Sequence, residues 1–293
     1  MKVNNAVKQP LILIIDGANF LHRARSGFNL GEFPVVFNTF RNLRAIVEQF
    51  SPTRIYFTLE GRSQHRYELL PEYKANRVIE VPTDSSTPDP ETLKKLKELE
   101  SFYRQSALVI DLLNKHFPVS VVRHPEHEAD DTIYNLIRKS STAIPWVVVS
   151  SDTDFTQLLS EFKHVRLYNP ITKEFVEDPD FSYVVWKSLR GDGSDNIKGL
   201  PGIGDKTADE IVNDPERLTL LFEDKDKAKQ FELNYSLIKF KDWSEAESLK
   251  MTCSEPERDW GAVAQKFDEW AFKSLLKEKT WSKFTDTFDP LWW

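Results

Sequence analysis

Residues 11–15, Leu-Ile-Leu-Ile-Ile, are apolar at every position and stop at Asp16-Gly17. So short a continuous run, closed by a turn signal, is the pattern of a strand covered on both faces, as in a parallel sheet. Similar runs stand at 54–59, 119–122 and 146–149, with helical patterns at about 34–50, 91–116 and 130–139 between them. Strands alternating with helices specify an α/β fold with a mostly parallel central sheet and flanking helices. A hairpin comes next at 165–168 and 174–176, turning at Asn169-Pro170. Beyond about residue 181 the strand signal gives way to short helices and a glycine-rich turn at 199–204. The chain therefore divides into a polar, frayed stretch at 1–10, an α/β domain at 11–185 and a helical C-terminal region at 186–293.

Between the second and third strands the chain carries more than a crossover needs. Residues 78–90 hold Pro82, Pro88 and Pro90 and no periodicity, which reads as an irregular loop. A long helix is predicted directly after it, with Asp89 as N-cap, Pro90 in the first turn and Leu93, Leu96, Leu99, Phe102 and Tyr103 as its apolar stripe. The inserted loop and helix are a candidate substrate-handling element.

In an open α/β sheet the functional edge lies at the carboxyl ends of the strands, and acids collect there. Asp16 ends the first run and Glu60 comes after the second. Glu128, Asp130 and Asp131 come one turn after the third, and Asp152 and Asp154 directly after the fourth. Asp192 and Asp195, three apart, add a further pair. Taken singly, an aspartate after a strand is a helix cap or a turn former, and Glu60 alone reads as solvated surface. Nine acids at successive strand ends are too many for capping. Gathered together they would repel one another and take up protons unless cations neutralised them. Oxygen ligands without histidine or cysteine favour Mg2+ or Mn2+. Two such ions roughly 4 Å apart activate a water and steady the leaving oxygen of a phosphate ester.

The net charge of −7, from 39 Lys and Arg against 46 Asp and Glu, argues at first against a nucleic-acid partner. The nine acids account for more than all of it, so a site filled with cations leaves the remaining surface open to phosphate. One cysteine, Cys253, excludes an internal disulfide and a cysteine-built metal site. No apolar run is long enough for a signal sequence or a membrane span, so a cytoplasmic protein is expected.

Gly199-Leu200-Pro201-Gly202-Ile203-Gly204-Asp205-Lys206-Thr207-Ala208 sets three glycines in a tight turn ahead of a helix. Glycines let backbone N–H groups close on a phosphate, and the start of a helix adds positive potential. Lys206 can add a direct ion pair. Such a turn grips the backbone and reads no bases. Upstream, Arg62, His65, Arg66, Tyr73, Lys74 and Arg77 form a basic cluster with an aromatic ring. Its cations could hold the scissile phosphate and its tyrosine could stack a base; the same cluster also fits a solvated helix face.

Six strings carry a family resemblance, in order along residues 11 to about 210. They are Ile-Ile-Asp-Gly-Ala-Asn (14–19), Arg-Tyr-Glu-Leu-Leu-Pro-Glu-Tyr-Lys-Ala-Asn-Arg (66–77), Glu-Ala-Asp-Asp (128–131), Ser-Ser-Asp-Thr-Asp-Phe (150–155), Gly-Asp-Gly-Ser-Asp-Asn-Ile (191–197) and the glycine hairpin. Together they resemble the 5′ nuclease family of flap endonucleases and 5′→3′ exonucleases. The chain, short of a polymerase domain, is similar to the bacteriophage-type members, the ribonuclease H type of T-even phages among them. The resemblance implies a PIN-like nuclease fold, a helical arch or gateway at about 66–116, a helix–three-turn–helix motif at about 186–213 and two-metal phosphodiester hydrolysis. It implies that Asp16, Glu128, Asp130, Asp131, Asp152, Asp154, Asp192 and Asp195 hold Mg2+, for which Mn2+ substitutes. The family has Asp where Glu60 stands. Lys74 and Arg77, with Asp130 and Asp152, would be catalytic. Arg66, Tyr73, Gly199, Gly202, Ile203, Gly204, Lys206 and Thr207 would touch DNA, with a K+ ion at the hairpin. The substrates implied are 5′ flaps, nicks, overhangs and RNA–DNA hybrids, met by a monomer in replication and repair.

Thr287-Phe288-Asp289-Pro290-Leu291-Trp292-Trp293 lies outside those strings. It reads either as a docking peptide for a sliding clamp or single-strand binding protein, or as packing on the C-terminal region. Two other functions fit the pattern less well. A DNA-binding protein with a degenerate site would not need every carboxylate. A Mg2+ phosphatase with an Asp nucleophile would want a second Asp two residues on, where Ala18 and Asn19 come after Asp16-Gly17 instead.

Overall fold

The structure is a computed structural model that describes residues 10–28, 31–77 and 89–291. Nearly all of the N-terminal stretch predicted to fray, most of the loop at 78–90, and Trp292 and Trp293 lie outside the described residues. Six strands make most of one sheet: β1 (Ile12–Asp16), β2 (Arg54–Leu59), β3 (Ser120–Arg123), β4 (Trp146–Val149), β5 (Val165–Asn169) and β6 (Glu174–Val176). They lie in the order β6-β5-β4-β1-β2-β3. The first five run parallel, with Ile14 facing Tyr56 on one side and Val148 on the other. Covered on both faces, the middle strands need apolar residues at successive positions, and Leu13, Ile14 and Ile15 are fully buried.

Helices make the crossovers. α1 (Gly17–Ala24) and α2 (Pro34–Phe50) join β1 to β2, α3 (Gln64–Leu69) and α4 (Pro90–His116) join β2 to β3, α5 (Ala129–Arg138) joins β3 to β4, and α6 (Gln157–Glu161) joins β4 to β5. α4 starts where the sequence predicts, with Asp89 accepting from the N–H groups of Glu91 at 2.9 Å and Thr92 at 3.0 Å. Its buried face is Phe102, Val109, Leu112 and Leu113, all in the second half of the helix or at its middle; Tyr103, expected in the apolar stripe, is 59% exposed. From β1 the strands step outward through β2 to β3, then resume at β4 on the other side of β1. Crossovers part at such a reversal, and a crevice opens at the carboxyl ends of β1 and β4.

After β6 come α7 (Tyr183–Arg190), a ribbon of β7 (Gly191–Asp192) and β8 (Ile197–Lys198), α8 (Asp205–Val212), α9 (Pro215–Glu223), α10 (Lys225–Ile238) and α11 (Glu245–Ser248). Then β9 (Thr252–Cys253) joins the main sheet antiparallel to β3, ahead of α12 (Trp260–Glu269) and α13 (Glu278–Phe288). The end of the chain is woven into the main core. Phe267, Phe272, Phe284, Phe288 and Leu291 share one buried cluster with Leu13, Phe40 and Phe117. The Phe117 ring lies 4.9 Å from that of Phe40 and 5.4 Å from that of Phe288. Of the two readings of the aromatic end, packing is what its described residues do.

Candidate active site

Parallel strands in register bring their carboxyl ends to one edge. Eight of the nine expected acids line a single cleft of about 220 Å³ there: Asp16, Glu60, Glu128, Asp130, Asp152, Asp154, Asp192 and Asp195. Lys74, Arg77, Lys187 and Arg190 share its walls. Several acids cap as well as line. Asp16 Oδ1 accepts from the Asn19 N–H at 3.1 Å, starting α1, and its Oδ2 accepts from Ser150 Oγ at 2.8 Å. Asp152 Oδ1 accepts from the Asp154 N–H at 2.9 Å and Asp192 Oδ1 from the Ser194 N–H at 2.8 Å. At Asp192 the other oxygen, Oδ2, meets a cation, Lys187 Nζ, 2.6 Å away. Glu60 Oε2 accepts from the Ala129 N–H at 3.0 Å, tying the end of β2 to the start of α5.

The cleft is short of positive charge. Burial pushes Asp16 up to about 6, against the hydrogen bonds of Ser150 and Asn19. Lost solvation, then Glu128, Asp130 and Asp16, push Glu60 up to about 8. Asp154 rises to about 6 through burial, held back by Lys187, and burial raises Asp152 as well. Burial works upward on Asp192 too, but the Lys187 and Ser194 hydrogen bonds outweigh it and hold that carboxyl at about 2. The basic side chains stand in as counter-ions. Lys74 Nζ is 2.7 Å from Glu128 Oε1 and 3.8 Å from Asp195 Oδ2. Arg77 pairs with Asp195, and Lys187 bridges Asp154 and Asp192. With eight carboxylates and neither imidazole nor thiol among the lining residues, the donor set fits hard divalent cations.

Four expected site residues stand elsewhere. Arg66, read as a DNA contact, is 1% exposed. It donates to Glu128 Oε2 at 2.9 Å, Asp131 Oδ1 at 3.1 Å and the Leu237 carbonyl at 2.9 Å, which makes it an internal counter-ion. Asp131, read as a metal ligand, is fully buried and does not line the cleft; its Oδ1 also accepts from the Lys241 N–H at 2.8 Å. Successive helical residues point about 100° apart, so a helix that aims Asp130 at the cleft turns Asp131 toward Arg66. Tyr73 is buried, its hydroxyl shared between Glu128 Oε2 at 3.0 Å and Asp195 Oδ2 at 2.9 Å, and it has no free face for a base. At Gly199 a Cβ would lie 2.1 Å from the Arg190 carbonyl oxygen, so this glycine serves packing against α7. Gly202, by contrast, takes a φ of +79° with open space around it. Gly204 and Lys206 are also exposed beside it, with Ile203 and Thr207 half-buried.

Three site residues escaped the sequence reading: Arg190 in the cleft wall, Lys187 and Tyr183. Lys187 is buried beneath Asp154 and Asp192, and the Tyr183 hydroxyl lies 2.9 Å from Asp154 Oδ1. Their one signal is a lysine on the apolar side of the 183–190 helix, one turn before Gly191-Asp192.

A family model described as the 5′-3′ exonuclease, N-terminal resolvase-like domain, matches residues 11–184. The 5′-3′ exonuclease of Bacillus subtilis is 29% identical over 234 residues, covering 72% of this chain and 73% of its own. A thermostable DNA polymerase I of Thermus filiformis is 30% identical over 234 residues, covering 74% of this chain and 25% of that longer protein. Among solved structures, the bacteriophage T5 flap endonuclease in a pseudo-enzyme-product complex with DNA and metal ions has a TM-score of 0.61 at 18% identity, covering 96% of this chain and 98% of that one. The T5 5′-exonuclease with zinc ions bound has a TM-score of 0.59 at 20% identity, covering 96% and 98%. At such identities the likeness is one of fold: the mostly parallel α/β sheet with its helices is shared.

Proposed function

The chain belongs to the 5′-3′ exonuclease family, and on that premise we propose that this nuclease is a Mg2+-dependent 5′→3′ exonuclease and flap endonuclease. It would work by a two-metal mechanism, remove RNA primers in replication and repair, and act as a monomer in the cytoplasm. One observation carries the reading: eight carboxylates meet four cationic side chains in one cleft at the carboxyl edge of the sheet.

The eight carboxylates would hold the ions, Asp130 and Asp152 among them, with Mn2+ able to substitute. Mg2+, when bound, would lower the pKa of a water and offset charge on the leaving oxygen. Lys74 and Arg77 rest on Glu128 and Asp195, where both cations would meet the scissile phosphate. The Tyr73 hydroxyl, placed between the same two carboxylates, keeps them in position. Lys187 does the same for Asp154 and Asp192. The exposed turn from Gly202 to Lys206 would grip the duplex backbone, with K+ at the hairpin, while the segment 66–116 would handle the flap. A clamp or single-strand binding protein is a candidate partner for residues 287–293, of which Phe288 and Leu291 are buried in the core.

Single-turnover cleavage of an end-labelled 5′-flap duplex, and of a matching RNA–DNA hybrid, tests the proposal. Expected are Mg2+-dependent cuts near the junction or short products from the 5′ end. They vanish in EDTA and in Asp152→Asn, while the variant still binds DNA. Tight binding without cutting would make the chain a DNA-binding member of its family, and neither binding nor cutting would mean the carboxylate cleft has been misassigned.

A further inference from the structure

Behind the carboxylate cleft, where α3 meets the start of α5, three polar atoms are buried without a hydrogen-bond partner: His65 Nε2, His127 Nδ1 and Asp131 Oδ2. One ligand atom from each of these three residues lies within 4.8 Å of the other two, and His127 Nδ1 is 3.8 Å from Asp131 Oδ2. His127 is 2% exposed and Asp131 fully buried. A buried polar atom left unpaired is costly, so native structures rarely keep one without a reason. Three that face each other point to one shared partner.

The far sides of His65 and Asp131 are hydrogen-bonded, and that of His127 faces a carboxylate beyond hydrogen-bond distance. His65 Nδ1 is 3.1 Å from Ser63 Oγ, and His127 Nε2 faces Glu247 Oε1 at 3.7 Å. Asp131 Oδ1 accepts from Arg66 and from the Lys241 N–H. Imidazoles that bind metals are held in this way, one nitrogen oriented by a hydroxyl or carboxylate and the other free. Arg66 Nη1 does come within 3.0 Å of Asp131 Oδ2, but without hydrogen-bond geometry. His124, whose ring is 4.5 Å from that of His127, is spent: Nε2 is 2.8 Å from the Glu247 carbonyl and Nδ1 accepts from the Glu126 N–H. Burial, with Arg66 and Lys241 near, holds His65 down to about 3. Burial, with His124 and Lys241 near, holds His127 down to about 4. Imidazole ligates in its neutral form.

We propose that His65, His127 and Asp131 form a second metal site, separate from the carboxylate cleft, for a borderline divalent cation of the Zn2+ class with one open position. Two imidazoles and a carboxylate suit such an ion and do not suit Mg2+. Zinc bonds of about 2.0–2.2 Å set neighbouring ligands about 3.4 Å apart in a tetrahedron, so small inward rotations of the three side chains close the site. A metal there would clamp α3, which leads into Lys74 and Arg77, onto α5, which presents Asp130.

The test titrates the EDTA-stripped full chain with Zn2+ in excess Mg2+, by calorimetry and X-ray absorption. Expected is a Zn2+ equivalent that Mg2+ does not displace, with imidazole scattering in its spectrum and a raised melting temperature. His65→Ala and His127→Gln each lose that equivalent while keeping the parent far-UV spectrum. A zinc spectrum of oxygen ligands alone, full displacement by Mg2+, or an equivalent kept by both variants overturns the proposal. Should either variant fail to fold, the imidazole signature in the parent decides it.

Discussion

Arg66 and Lys74 come from one basic segment and do different work. Arg66 is enclosed between Glu128 and Asp131, so losing it strands buried carboxylates. Breaking a buried pair from one side costs about 3–5 kcal/mol, and Arg66→Ala is expected to lower unfolding stability by that order in urea titration. An unchanged midpoint would return Arg66 to the surface. Lys74 is partly exposed, and its ammonium lies at the mouth of the acids. Removing a cation that meets developing charge costs about 10²–10³-fold in rate, so Lys74→Ala is expected to slow the single-turnover step by that order. Duplex affinity should fall far less; a parent-like rate would take Lys74 out of the mechanism. Both residues were visible in the sequence as basic. Which one faces the cleft depends on the packing of α3, and the spacing of charges does not report that.

The last helix shows how one aromatic pattern fits two uses. Trp281, Phe284 and Phe288 recur at helical spacing in α13, an ordinary amphipathic pattern. The stretch from Thr287 onward, Phe288 among it, also fits a docking peptide. The difference lies in the partner surface, since Phe117 and Phe40 beneath them come from distant segments. Truncating a buried phenylalanine costs about 3–5 kcal/mol, and Phe288→Ala is expected to lower the thermal midpoint accordingly; no change would mean the ring is not core. β9, two residues long, pairs with β3 without any alternation that could announce it. α1 begins straight after β1 with no linker at all, because Asp16 both ends the strand and caps the helix.

Across the molecule, the sheet edge concentrates charge that folding alone does not balance. Asp16 and Asp154, at about 6, and Glu60, at about 8, hold protons more tightly folded than unfolded. Each therefore costs stability as pH rises from its ordinary value through its folded one. Divalent cations bind the ionised forms and remove that cost. Mg2+ is thus expected to raise the melting temperature more at about pH 8 than at about pH 5, read by scanning fluorimetry against EDTA controls. A shift equal at both, or larger at the lower pH, would show that these carboxylates do not hold the ions.

The α/β order, the hairpin and the line of acids at the strand ends were legible in the chain because each is written locally, by runs of apolar residues and by the turn and acidic residues that close them. The inward faces were not. Arg66 meets the Leu237 carbonyl across 171 residues of sequence, and Asp131 meets the Lys241 N–H across 110. No local period records such contacts. They separate the eight acids of the cleft from the ninth, hide Tyr73, bring Lys187 beneath Asp154 and Asp192, and turn Asp131 toward His65 and His127. Residue type and strand order are determined by the chain, whereas the side of a helix that meets solvent, substrate or core is set by which distant element packs against it.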